Sequence, residues 1–73
     1  MTLWDAQVGE SVRVTGLAAT GSGRRRFLDL GFVPGTLIEV VRRSPLGDPV
    51  AYRVRGATIA LRGVDARQIL IER

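Results

Sequence analysis

The chain has 73 residues, 45% hydrophobic and 25% charged, and its eleven basic residues, all arginine, outweigh seven acids to give a net charge of +4. These values exclude a disordered or fibrous chain and leave room for one core and one domain, residues 1–73, burying about 60% of the unfolded surface. Without cysteine or histidine, neither a disulfide nor a zinc site can staple so small a domain, and packing must hold it.

The opening Met1-Thr2-Leu3-Trp4-Asp5 lacks the basic-then-apolar layout of a signal peptide. Apolar runs end at a charge, glycine or proline long before the roughly 20 residues a spanning helix needs. The expectation is a cytoplasmic protein that meets a membrane only through a partner. Trp4 is expected to plug an open end of the core rather than to hold a ligand. Gly9-Glu10 reads as a turn, and residues 11–15 alternate as a half-buried strand with Val12 and Val14 inward. Residues 16–23 carry three glycines and read as a flexible connection.

Residues 24–30 switch to helical spacing, with Phe27, Leu28 and Leu30 on the core side and Arg25, Arg26 and Asp29 opposite. Ser22 is the expected cap, Gly31 the left-handed stop, and Phe32 the apolar residue folding back on it. Pro34-Gly35 supplies a turn, and residues 36–43, rich in β-branched side chains, form the longest predicted strand. Two prolines end it in the 44–49 loop. Val50, Tyr52 and Val54 alternate with Ala51, Arg53 and Arg55 as a third strand. Gly56-Ala57 turns it into residues 58–61, with Ile59 and Leu61 inward.

Asp65 is expected to cap a helical turn before Ile69-Leu70-Ile71 closes the chain. The predicted fold is mainly β: a small closed five-stranded barrel with one short α-helix and one helical turn, closure removing exposed edges.

Chemistry for catalysis is sparse. Seven carboxylates (Asp5, Glu10, Asp29, Glu39, Asp48, Asp65, Glu72) are scattered singly, so no acid pair or metal cluster is expected, nor a cofactor. Gly21-Ser22-Gly23 precedes a helix but lacks the lysine and spacing of a nucleotide loop. The chain reads as a binding module and not an enzyme. Its sharpest feature is Arg24-Arg25-Arg26, expected in the first helical turn, where the dipole disfavours cations. The competing reading is a solvated helix face, just as an all-arginine composition also suits a GC-rich genome. The functional reading is an acidic or phosphate-bearing partner docking there. The loop carrying Leu46 and Asp48 is the second candidate contact. A groove for proline-rich peptides would need more aromatics than Trp4, Phe27, Phe32 and Tyr52. A basic strand face with Arg53 and Arg55 lacks the interleaved aromatics of a nucleic-acid surface, so no nucleic acid is expected.

The run from Arg26-Phe27-Leu28-Asp29-Leu30-Gly31-Phe32 through Val33-Pro34-Gly35, followed after a strand by Pro45-Leu46-Gly47-Asp48-Pro49, resembles the FeoA family. Leu3, Val8-Gly9, Ile59-Ala60-Leu61-Arg62 and Ala66-Arg67-Gln68-Ile69 extend the resemblance over nearly the whole chain, while Phe27 stands where leucine is usual. The resemblance implies an SH3-like barrel of the bacterial cytoplasm, an accessory protein of ferrous iron uptake. Its implied partner is the cytosolic part of the FeoB GTP-binding membrane transporter. The alternative is an SH3-like regulatory module related to the C-terminal domain of metal-dependent transcription repressors. With no helix-turn-helix ahead of the barrel, a free-standing protein is the expectation.

Overall fold

The computed structural model describes residues 1–73. Five antiparallel strands form one sheet: β1 (Ser11–Leu17), β2 (Leu37–Arg43), β3 (Val50–Val54), β4 (Ala57–Leu61) and β5 (Ile69–Glu72), in the order β4-β3-β2-β1-β5. Helix α1 (Gly21–Leu30) follows β1, and a single turn, α2 (Gly63–Ala66), joins β4 to β5. A 3-10 turn at Leu3–Asp5, not foreseen from the sequence, buries Leu3 completely.

Alternation does what the pattern demands. Val12, Val14, Ile38, Val40, Val50, Tyr52, Val54, Ile69 and Ile71 point inward and join Leu3, Phe27 and Phe32 in one core. No polar or charged residue is buried with them. Bulges between Val14 and Gly16 and between Val40 and Arg42 bend β1 and β2 around this core.

Several boundaries differ from the sequence expectation. β1 runs on to Leu17, where Gly16 and Leu17 pair with Leu70 and Ile69, so the connection to α1 shrinks to residues 18–20. It is therefore as long as β2, seven residues each. Helix α1 begins at Gly21 with Thr20, not Ser22, in the cap position, and Arg62 rather than Asp65 precedes the α2 turn. The stop is as expected: Gly31 is left-handed at φ 108, its N–H donates to the Leu28 carbonyl, and Phe32 N–H donates to that of Phe27.

Strict closure of the barrel does not occur. β4 and β5 make no ladder, because the chain between them turns through α2. The outer edge of β5 is covered instead by the start of the chain, where Thr2 bridges Leu70 and Ile71 N–H donates to the Met1 carbonyl at 3.0 Å.

The β3-β4 hairpin turns at Arg55-Gly56 rather than Gly56-Ala57, since Val54 pairs with Ala57. Both turn residues have positive φ, 51 for Arg55 and 81 for Gly56, as the twist of a two-residue hairpin requires. Arginine is a poor occupant of that region. Arg55→Asn is expected to raise stability by about 1 kcal/mol, seen as a rise of about 4–8 °C in the thermal midpoint. An unchanged or lower midpoint would refute the strain argument.

Candidate functional site

Helix α1 begins a turn earlier than its arginines, so Arg24, Arg25 and Arg26 occupy its second turn, beyond the strongest part of the dipole. All three are exposed. They are not equivalent. Arg26 ion-pairs with Asp65 at 3.1 Å, and its guanidinium lies 5.1 Å from the Phe27 ring centroid, so it ties α1 to α2. Arg24 and Arg25 take part in no ion pair, and neither does Asp29 on the same helix. With Gly21, Leu28 and Asp29 they line a shallow depression of about 400 Å³ along one helix face. Leu28 is half-buried there and Leu30 exposed, so Phe27 is the one residue of the predicted trio that is fully buried.

The loop after β2 is firmly tied. Ser44 N–H donates to the Pro49 carbonyl at 3.1 Å, Gly47 N–H to the Ser44 carbonyl at 2.8 Å, and the Arg43 guanidinium to the Gly47 carbonyl at 3.0 Å. Leu46 stands at its tip, 96% exposed. Asp48, the other candidate contact of this loop, is engaged within the fold. Its carboxylate accepts the Gly63 N–H through both oxygens, at 3.0 and 3.2 Å, pinning the loop to the start of α2. The candidate contacts are thereby linked through α2: Asp48 holds Gly63 at its start, and Asp65 holds Arg26 from the other side.

Trp4 completes this region. Half-buried against the core, it lies with its ring centroid 4.6 Å from the Arg43 guanidinium and 4.8 Å from that of Arg67. A side chain on Gly63 would come within 3.1 Å of the Trp4 ring and of Asp48, so glycine is what lets indole, loop and α2 meet. This basic surround of Trp4 was missed from the sequence. Arg43 and Arg67 belong to different elements, and only the fold brings them to one ring.

Three of the remaining acids, Asp5, Glu10 and Glu39, serve structure. Asp5 accepts the Thr2 N–H at 2.9 Å, which holds its carboxyl below the usual range. Glu10 is held low by Arg73, its partner at 2.6 Å, and by the Gln7 N–H. Glu39 pairs with Arg53 at 2.9 Å. No three acids gather in a group that could hold a metal ion. The Tyr52 hydroxyl is buried without a hydrogen-bond partner, and burial pushes its pKa up to about 12, far from any use in proton transfer near neutral pH. The exposed groups of this region that are free of ion pairs include Arg24 and Arg25 on α1, and Leu46 at the tip of its loop. No helix is long and apolar enough to cross a membrane.

Comparison with known proteins gives this surface its context. The chain is 38% identical over 72 residues to an Fe(2+) transport protein A/Fe(2+) transporter FeoB fusion protein of Porphyromonas gingivalis (strain ATCC BAA-308 / W83). That match takes in 99% of this chain and only 8% of the fusion protein's length. The solution structure of FeoA from Chlorobium tepidum is 37% identical with a TM-score of 0.89, over 97% of this chain and 68% of that one. FeoA of Stenotrophomonas maltophilia, solved with zinc and named a procaryotic SH3 domain protein, is 29% identical with a TM-score of 0.87, over 99% of this chain and 89% of that one. A manganese-dependent transcriptional repressor in complex with manganese, 22% identical with a TM-score of 0.85 over 96% of this chain and 35% of that one, shares the fold alone. The model of the FeoA domain matches residues 1–73, and the chain belongs to the FeoA domain family, which is linked to ferrous iron transport.

Proposed function

We propose that the protein is a cytoplasmic accessory factor of ferrous iron uptake, which docks on the cytosolic part of a FeoB-type membrane transporter and catalyses no reaction of its own. The observation that carries this reading is the fusion: in the P. gingivalis relative a segment 38% identical to this chain shares a polypeptide with FeoB. Tethering of that kind sets an effective concentration of about millimolar for any contact between the two parts, useful when the untethered affinity is modest. Docking through side chains requires exposed groups not already used for folding. Arg24 and Arg25 on α1 meet that condition, and so does Leu46 on its fixed loop. Arg26 and Asp48 contribute by holding α1 and the loop against α2.

The experiment is binding of the Arg24→Glu/Arg25→Glu double variant to the cytosolic part of the FeoB-type transporter from the same organism, at two salt concentrations. Arg26 is left alone, since a carboxylate there would face Asp65 and confound folding with binding. The double variant is expected to keep its thermal midpoint and to bind about tenfold more weakly at low salt, with the gap narrowing as screening rises. Equal affinity for parent and variant at both salts would remove α1 from the docking surface.

A further inference from the structure

The two ends of the strand order differ in how they are finished. β5 is covered by Met1 and Thr2, whereas no backbone hydrogen bond outside the β3 ladder involves residues 57–61 of β4. Edge strands are ordinarily blunted by a charge, a proline or a bulge, because unpaired amides and carbonyls recruit further strands. β4 has none of these: it reads Ala57-Thr58-Ile59-Ala60-Leu61 and pairs with β3 in unbroken register.

The surroundings of this edge are of one sign. Residues 50–64 include Arg53, Arg55 and Arg62 and no acid. Glu39 neutralises Arg53, and Arg62 shares Asp65 with Arg26, but Arg55 and Arg42 are in no ion pair. Arg42 pairs across the sheet with Ala51, and Ala51 with Ala60, so the three stand in one row leading to the open edge. Along that row Ala51 and Ala60, together with Pro45 and Pro49, line a depression of about 480 Å³ that Arg42 borders.

We propose that the β4 edge accepts an extended acidic segment of a partner protein as a sixth strand. Backbone hydrogen bonds to β4 supply affinity, Arg55 in the hairpin beside the edge selects acidic side chains, and Arg42, two strands in from β4, adds to the positive field there. Charge favours this occupant over a second copy of the chain, since two molecules of net charge +4 repel. The site is separate from the α1 face and does not depend on the docking role proposed for it.

The test is titration of the isotopically labelled full chain with a short blocked peptide alternating glutamate and valine, followed by amide shifts and hydrogen exchange. Saturable shifts confined to β4 and its β3 neighbours are expected, with exchange at outward β4 amides slowed about tenfold. A lysine and valine peptide of equal length should give neither. Ala60→Glu and Arg55→Glu, both at exposed positions, are each expected to weaken peptide binding about tenfold while the spectrum stays that of a folded chain. Arg24→Glu/Arg25→Glu should bind the peptide as the parent does. Shifts that map to α1, equal binding of the lysine peptide, or affinity indifferent to both variants would overturn the proposal. So would protection of β4 without peptide in a sedimenting dimer, because a second copy would then hold the edge.

Discussion

Phe27→Ala is expected to leave the chain largely unfolded at room temperature, while Leu30→Ala leaves it folded. Phe27 is 1% exposed and meets Phe32 edge-to-face, with ring centroids 6.3 Å apart and an interplanar angle of 90°. Removing such a ring costs about 3–5 kcal/mol, through lost transfer free energy and the cavity left behind. A domain this small has about that much net stability in total. Leu30 is 38% exposed, and its truncation is expected to cost less than about 1 kcal/mol. Urea denaturation followed by fluorescence and circular dichroism separates the two. A Leu30→Ala loss equal to that of Phe27→Ala would mean that α1 has a second anchor.

The other large effect is expected at Gly31→Ala. At φ +108 any side chain is strained, and a Cβ there would lie 2.9 Å from a methyl group of Val54. Backbone strain costs about 1–2 kcal/mol and forced repacking about 1–3 kcal/mol more, so a loss of about 2–5 kcal/mol is anticipated. Gly35→Ala is the matched control, since Gly35 has φ +94 but no atom within 4 Å of its would-be Cβ. Only the backbone cost should appear there. If the two variants lost the same stability in urea, the close approach to Val54 would carry no weight.

The strands were legible because burial on one face writes a period of two into the sequence, as in Val12 and Val14 or Val50, Tyr52 and Val54. The helix stop was legible for a local reason too: Gly31 is the left-handed residue that lets Phe32 fold back. The helix start was not. Gly21-Ser22-Gly23 has low helical propensity, yet it forms the first turn, held by backbone bonds such as Arg24 N–H to the Thr20 carbonyl. A short helix shows too few turns to fix its buried stripe, so spacing alone does not separate half-buried Leu28 and exposed Leu30 from buried Phe27. At the site, exposure of the arginines and of Leu46 followed from local pattern. Their partners did not: Asp65 for Arg26, Gly63 for Asp48, and two guanidiniums for Trp4 are pairings across the fold.

One feature of the sheet bears on the order in which the protein can assemble. β2, β3 and β4 form a meander of near neighbours in the chain, while β1 finds its second partner in β5, drawn from Ile69–Glu72. Pairing of distant segments carries a loop-closure cost before its contacts repay it, so the meander can form early and the β1-β5 seam late. During synthesis, Val12, Val14 and Leu3 stay without the cover of Ile69 and Ile71 until β5 has emerged from the ribosome. The nascent chain then exposes apolar surface along β1 throughout the synthesis of β2, β3 and β4, and a truncation before Ile69 would make that transient state permanent.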